Sequence, residues 1–444
     1  MKNTGEYSSK KSGKNDMSKV CVIGGGAAGL MAAYAAAKNG HEVFLIEKNE
    51  KLGKKIYITG KGRCNFTNDV PADEFLTNVV RGEKFLRGVV YSFPPQKVIE
   101  FFESYGLAVK TERGNRVFPV SDHASDVTKT LEKACKSSGV EIRLNEKVSK
   151  LLISTTPDIG ITTGIQPKST PDIGIMPRIV GVQTDFAEYP CDVAIVATGG
   201  LSYPTTGSTG DGYIFAKELG HSVSDLKPAL CGINLQGAFF QELQGLALKN
   251  VALMVKNGTK TVYNGFGEML FTHFGISGPI VLTLSSLINR LPLSSLVMSL
   301  DLKPALDEQT LDKRILRDFE QMKNKQIKGA LIELLPSKLI PHVLKTAKIA
   351  ETKQVNAVTK EERAALLSAI KAFPLRARSL RGFEEAIVTS GGVSLSEIHP
   401  KTMESMCVSG LKFCGEVLDV DAFTGGFNMQ IAFSTGYAAG NTVE

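Results

Sequence analysis

The sequence predicts an α/β fold: a parallel-sheet domain, interrupted first by a β-rich module and then by a small helical one, and resumed near the end of the chain. Three observations carry this. Within Lys19–Ile46 an apolar run, a glycine turn, an alanine-rich periodic stretch and a second apolar run follow one another, in the order and length of a βαβ unit. Two further short apolar runs, Cys191–Ala197 and Leu411–Gly415, have the pattern of buried strands and lead into glycine turns. Between them the pattern changes twice, to alternation over Leu230–Val262 and to Lys/Glu-rich helical spacing over Leu306–Ala372.

Each element follows from its residues. Lys19–Ile23 is β-branched and apolar, hence a buried strand; Gly26–Asn39 has helical spacing and is stopped by Gly40; His41–Ile46 is the second strand. A helical crossover of this kind makes the two strands parallel. Gln96–Tyr105 and Ala124–Ser138 carry helical periodicity, and Val140–Leu144 a strand pattern. Val148–Ser154 and Ile179–Thr184 predict two strands of an antiparallel meander. The repeat between them, TTPDIGI from Thr155 and STPDIGI from Ser169, predicts a surface hairpin tip, since lengthening a loop costs little. Leu296–Leu302 adds a strand to the β module, Pro374–Ala386 returns to β structure, and Gln430–Asn441 is a closing helix. The division is then a disordered tail at 1–17, a nucleotide domain of 18–204 and 387–444, a β-rich domain of 205–305 and 373–386, and a helical domain of 306–372.

Composition narrows the class. Hydrophobic residues at 43% and charged residues at 22% suit a water-soluble globular protein. The net charge of +7 comes from dispersed basic residues, which argues against a nucleic-acid footprint and leaves anionic small molecules as the favoured partners. Seven widely spaced cysteines without a CxxC pair argue against a disulfide scaffold, a zinc site and a dithiol reductase, and for reduced thiols in a cytoplasm. The first residues lack the apolar centre of a signal peptide, and no apolar run has membrane-spanning length. The expected partner is a small-molecule substrate, with no metal, no membrane and no clear nucleic-acid partner.

The chemistry lies in the glycine turns. CVIGGGAAG, Cys21–Gly29, puts Gly24, Gly26 and Gly29 in GxGxxG spacing between strand and helix. The first glycine makes the turn, the second admits a pyrophosphate to the backbone, and the third, next to Ala28, lets helix and sheet pack. Glu47 ends the second strand, where a carboxylate binds ribose hydroxyls, and Lys48 follows it. The unit predicts dinucleotide binding of a Rossmann-like domain. The chain then runs into GKKIYITGKGRCNFTN, Gly53–Asn68, which suits lying along an extended cofactor. Its N–H groups and Lys54, Lys61 and Arg63 can meet phosphate or flavin carbonyls, and Gly62, Cys64 and Asn65 share that turn. Val148 offers a backbone contact at the adenosine end, and Ala197, Thr198 and Gly199 come from the ATGG turn. GLKFCGEVLDV contributes Gly415, Glu416 and Asp419, with an acid at a strand end for the ribityl chain. TGGFNMQIAFSTG then opens a helix whose first residues, Gly426, Phe427, Asn428 and Met429, aim N–H groups at the flavin N1–C2=O edge. Positive dipole there favours the anionic reduced ring. FAD is therefore the expected cofactor, extended from Gly24–Glu47 to a ring between Gly60–Asn65 and Phe423–Met429.

CVIGGGAAGLMAA, KKIYITGKGRCNFTN, AIVATGG with LSYPTTGSTGDG, GEMLFTHFGISGP and LKFCGEVLDVDAFTGGFNMQIAFSTG resemble the YhiN/BaiN-like bacterial NAD(P)/FAD-dependent flavoproteins, over about Ser18 to Thr442. The resemblance implies an FAD domain of the glutathione-reductase superfamily type, a β-barrel-like insertion and a small helical domain, with tightly bound FAD. It also implies either NAD(P)H-dependent reduction of unsaturated 3-oxo bile acids or oxidation of small amines such as aminoacetone.

Flavin carries hydride itself, so a protein acid or base is optional. His273, in FTHFGISGP, is the candidate to orient a carbonyl or donate a proton near the ring, against a structural histidine as the plainer reading. Thr272 and Ser277 are candidate substrate contacts or turn caps. Cys64 is more plausible packed than reactive, and Cys414 is core. Arg376, Arg378 and Arg381 form a basic cluster that either attracts an anion or is ion-paired surface. No second GxGxxG is present, so NAD(P)H, as a transient co-substrate, docks without a domain of its own. The favoured reading is hydride from NAD(P)H through flavin N5 to an electron-poor double bond. Its rivals are an amine oxidase and a flavin-containing, RNA-associated binding protein.

Overall fold

The computed structural model describes residues 17–155 and 176–444, so the tail expected at 1–17 lies outside it save for Met17, as does the repeated hairpin save for Thr155. In chain order, the parallel domain uses β1 (Lys19–Ile23), α1 (Ala27–Lys38), β2 (Glu42–Glu47), α2 (Lys54–Ile58), α3 (Ala124–Ser137), β3 (Glu141–Leu144), β4 (Val193–Val196), α4 (Asp211–Glu218), β5 (Leu411–Phe413) and α5 (Phe427–Asn441). The five strands form one parallel sheet in the order β5-β4-β1-β2-β3. Cys21 of β1 lies between Phe44 and Ala194, which sets the register of the centre. β4 is buried along its whole length, as a strand covered on both faces must be.

Two elements depart from expectation. Lys54–Ile58, within the stretch expected to lie along an extended cofactor, is a short helix entered through left-handed Gly53. The closing helix begins at Phe427, where the glycine turn opens it and three residues before the Gln430 bound that its apolar periodicity gives. Such ends are set by backbone geometry at a glycine rather than by side-chain spacing. The meander of Val148–Ser154 and Arg178–Thr184 is antiparallel as expected, with Glu188–Pro190 as its third strand.

α5 returns to lie along α1. A Cβ on Gly436 would stand 2.3 Å from the Ala28 carbonyl oxygen, and one on Gly440 2.1 Å from that of Ala32. The two helix backbones therefore touch. This contact brings the last helix of the domain to the first glycine turn.

The inserted β module is a seven-stranded sheet whose edge strands are Phe373–Leu375 and Ala377–Leu380. Those edges are consecutive in the chain, separated by Arg376 alone, so the sheet curls round until its two rims meet. The helices Glu308–Gln321 and Lys360–Lys371 bury Leu311, Ile315, Leu366 and Ile370 in the same second hydrophobic core as this sheet. Thr359 and Glu362 close a capping box at the start of the latter helix. Tyr213, Phe215 and Ala216 of α4 belong instead to the first core, with the parallel sheet. Among the described residues no helix is long and apolar enough to cross a membrane.

A buried polar clasp ties the turn after α4 to the loop that delivers β5. Ser405 Oγ accepts the N–H groups of Cys407 (3.0 Å) and Val408 (2.9 Å), so its own proton goes to His221 Nε2 at 2.8 Å. Nδ1–H of His221 then donates to Glu397 Oε2 at 3.1 Å, and that oxygen also accepts the Ser222 N–H. His221, Glu397 and Cys407 lie close enough together to hold a metal. A metal on Nδ1 would turn Nε2 into a donor, facing a hydroxyl oxygen that already accepts twice, so the arrangement fits a neutral histidine.

Burial holds the His221 pKa below its ordinary 6.5. The native state then binds fewer protons than the unfolded chain. The stability it contributes is full above about pH 6.5 and is lost as pH falls from there towards the folded pKa. Thermal midpoints should fall between pH 7.5 and 5.5. His221→Phe should cost about 2 kcal/mol at pH 7.5, by leaving the Ser405 hydroxyl proton and one acceptor position of Glu397 unpartnered, and flatten the pH slope. A wild-type midpoint that does not change over that range would remove the clasp as an acid-sensitive element.

Candidate active site

The main cavity of the parallel domain, about 910 Å³, lies at the carboxyl ends of its strands, at the top of the usual size range for ligand pockets. Its floor is the glycine turn. A Cβ on Gly29 would be 1.9 Å from the Gly24 carbonyl oxygen, so that residue is spent on packing, behind the cavity wall. A Cβ on Gly26 would meet no atom within 4 Å, and Gly26 lines the cavity. The crest of the turn is thus bare backbone facing open space at the start of α1, where the helix dipole is positive.

Glu47, buried at the end of β2, accepts the Gly25 N–H at 2.7 Å and the backbone and side-chain N–H groups of Asn49 at 2.8 and 2.6 Å. A carboxylate offers about four acceptor positions, so roughly one is left for a ribose hydroxyl. Glu416 is shared similarly. Its Oε2 pairs with Lys55 Nζ at 2.6 Å and its Oε1 accepts the Thr389 N–H at 2.7 Å. Two lone pairs remain for hydroxyls along the cavity.

Most cations along the wall are already neutralised. Lys48 pairs with Asp211 at 2.6 Å and Lys54 with Glu50 at 3.1 Å. Arg63 donates Nη1 to Glu112 at 3.2 Å and Nε to Asp122 at 2.9 Å, over the Phe118 ring. That guanidinium, expected to meet phosphate or flavin, spends its donors on the Val109–Glu112 strand and the turn before α3, and so braces the GKGRCN loop. The loop turns left-handed at Gly60 (φ 60°), Lys61 (φ 59°) and Gly62 (φ 87°), and again at Cys64 (φ 59°). A non-glycine residue there costs on the order of 1–2 kcal/mol, and Lys61 and Cys64 both bear it. Cys64 is fully buried and burial alone pushes its thiol up, so it packs and is not a thiolate. Burial likewise pushes Cys414 up to about 12.

The far end is built by α5. A Cβ on Gly426 would lie 2.9 Å from Asn65 Oδ1, and Asn68 Nδ2 bridges the Gly114 and Gly425 carbonyls at 3.0 and 2.9 Å. Asn428 clasps Ala422 through its N–H and carbonyl. Gly426, Phe427, Asn428 and Met429 all line the cavity at the amino end of the helix. Two buried side-chain oxygens on the lining have no partner, Asn65 Oδ1 and Thr198 Oγ1. The arrangement fits FAD: two helix starts converge on one cavity, an acid stands at its ribose end, and the bare crest at Gly26 leaves room for a pyrophosphate.

Of the residues singled out in the sequence, the cavity also gathers Ala28, Val148, Ala197 and Gly199. Gly62, Gly415 and Asp419 stand behind its surface. Gly415 donates its N–H to Thr435 Oγ1 (2.9 Å), and Asp419 keeps a buried, unpartnered Oδ1. His273 corrects the expectation of a ring-side histidine. It is exposed and stacks edge-on against Phe274. It lines a separate concavity with Asn234, Gln241 and Arg378, because the turn that carries it joins two paired strands of the insertion, Lys260–Phe271 and Gly275–Ser277. Arg381 pairs with Glu385, and Arg376 and Arg378 are exposed. Lys55, Asn68 and Asp211 were missed. Lys55 and Asn68 lie inside the quoted GKKIYITGKGRCNFTN stretch, but their partners come from distant segments.

Two variants separate packing from binding. Gly26→Val should fold with a near-normal thermal midpoint yet purify colourless. Gly29→Ala should lose about 2 kcal/mol or more of stability. A yellow Gly26→Val protein would refute the placement of the cofactor on this turn.

The HI0933-like protein Rossmann domain profile matches residues 18–442. The chain is 31% identical over 432 residues to a 3-dehydro-bile acid delta(4,6)-reductase of Clostridium scindens, covering 96% of this chain and 98% of that one. It is 31% identical over 428 residues to the ribosomal RNA dihydrouridine synthase of Escherichia coli, covering 94% and 96%. A 3-ketosteroid delta1-dehydrogenase structure from Sterolibacterium denitrificans shares the fold at TM-score 0.51 and 13% identity, over 96% of this chain and 99% of that one. The chain belongs to the HI0933-like Rossmann family, as a flavoprotein oxidoreductase with a Rossmann-type FAD-binding domain.

Proposed function

We propose that this protein is an FAD-dependent reductase that saturates a carbon–carbon double bond conjugated to a carbonyl, with NAD(P)H as electron source. One observation carries the reading. The two near-full-length relatives act on unlike molecules, a 3-oxo bile acid and a uridine of ribosomal RNA, yet their names describe one bond change on that kind of double bond. FAD supplies hydride chemistry when bound.

This chain's residues do the rest. The Gly24–Gly29 turn and Glu47 hold the adenosine half. The start of α5 sets positive dipole at the other end. Leu230, Pro279, Ile387 and Val388 give the cavity an apolar side towards the inserted module, which suits a flat carbon skeleton. The free thiols of all seven cysteines accord with work in the cytoplasm. A second reading, a uridine in RNA as the physiological substrate, is favoured by the Escherichia coli relative.

Under anaerobic conditions NADH or NADPH should bleach the yellow protein. One equivalent of a 3-oxo-Δ4 steroid, or of a uridine-containing ribosomal RNA fragment, should then restore the colour. Colour that persists with both nucleotides would overturn the NAD(P)H link, and a bleached protein indifferent to both acceptors would overturn the double-bond assignment.

A further inference from the structure

Lys61 stands apart from the other cations of the cavity. Lys48, Lys54, Lys55 and Arg63 each face a carboxylate. Arg116 turns its Nε to the Arg113 carbonyl at 3.0 Å, within its own hairpin. Lys147 adjoins Val148 and Glu146, whose N–H bonds to the Glu47 carbonyl, so it belongs to the adenosine end. Lys61 lines the cavity at the opposite end, is exposed, and has no ion pair or hydrogen bond among the described residues. A Cβ on the preceding Gly60 would lie 3.0 Å from the Asn65 nitrogen, which ties the turn to the residue that meets Gly426.

The backbone around it is costly. Lys61 is the middle of three successive left-handed residues, and the two beside it are glycines. A third glycine, or an asparagine, would fit this turn better than lysine. Arg63, two residues on, anchors the same loop through two carboxylates, so the strain is held in place by its surroundings. A long cationic side chain is kept where the backbone disfavours it, and it is left without a partner.

We infer that Lys61 supplies the positive charge that receives the oxyanion of the substrate carbonyl during reduction, an inference that rests on the reading of the protein as a conjugated double-bond reductase. In that reaction hydride adds to the β-carbon, the double-bond pair moves to the α-carbon–carbonyl linkage, and negative charge reaches the carbonyl oxygen. Water at the open mouth then protonates the α-carbon. Two electrons and one proton enter from reduced pyridine nucleotide as hydride, and water gives the other proton. The ammonium is worth most at the moment the oxygen becomes charged, so its loss acts on rate more than on binding of the neutral ketone.

The test uses the FAD-loaded protein and three variants, Lys61→Met, Lys61→Asn and Lys61→Arg. Reduced protein is mixed anaerobically with 2-cyclohexen-1-one and its reoxidation is followed. Met and Asn should slow this roughly 100-fold, and Arg less than about 10-fold. Thermal midpoints of the Asn variant should not fall, since asparagine tolerates the turn. Oxidised protein is separately titrated with 4-chlorophenol, whose phenolate places the same oxyanion on a planar ring. Its affinity should drop at least about tenfold in Met and Asn and recover in Arg. Equal phenol affinity in wild type and Lys61→Met, absence of binding included, overturns the inference, as does reoxidation by the enone at one measurable rate in both. A reduced wild type that ignores the enone while the phenol arm still separates the variants would instead overturn the reductase reading and leave Lys61 as an oxyanion site.

Discussion

The backbone contact between Gly24 and Gly29 is the constraint on which the site depends. With no side chain between them, α1 starts directly over the end of β1, and the bare crest at Gly26 is left facing outward. α5 then lies against α1 through Gly436 and Gly440, and its own start arrives at the far end of the same cavity. Two positive helix ends are thus placed by backbone-to-backbone packing, which is stiffer than any arrangement made by long side chains. Pre-set dipoles of this kind need no reorganisation when charge develops.

Charge along the cavity is divided by purpose. Most basic residues of the long wall are tied to carboxylates, which makes them braces for loops rather than ligands. Lys48–Asp211 holds α4 to the end of β2, Lys55–Glu416 holds α2 to the segment after β5, and Arg63 holds the GKGRCN loop to the neighbouring hairpin. Each is partly buried, where an ion pair fixes geometry even when its net stabilisation is small. The acids Glu47 and Glu416 keep spare lone pairs, so the wall offers acceptors to hydroxyls while its cations are occupied.

The sequence made the ends of the cavity legible and its middle much less so. GGGAAG and GGFNMQ could be read because their function is a local backbone shape, written in adjacent glycines. Glu47 was legible because its distance from the turn is fixed by one helix and one strand. The partners of Arg63 could not be read, since Glu112 and Asp122 reach it through a hairpin and a turn whose placement is tertiary. His273 was misplaced for the same reason: its motif is glycine-rich and resembles a hinge, yet strand pairing in the insertion carries it to an outer face. The helix Lys54–Ile58 could not be read, because five residues give too short a window for helical periodicity.

The interrupted order of the chain has a consequence for its synthesis. β1, β2, β3 and β4 are made first, and the whole insertion follows before β5 and α5 emerge. Until then the nascent domain has an unpaired edge on β4 and an uncovered alanine face on α1, at Ala28 and Ala32, exposed for as long as the ribosome takes to build a second module with a core of its own. The cavity cannot be completed in that interval, because the end built by α5 is not yet present. The insertion thus acts as a delay between making half of a binding cleft and closing it.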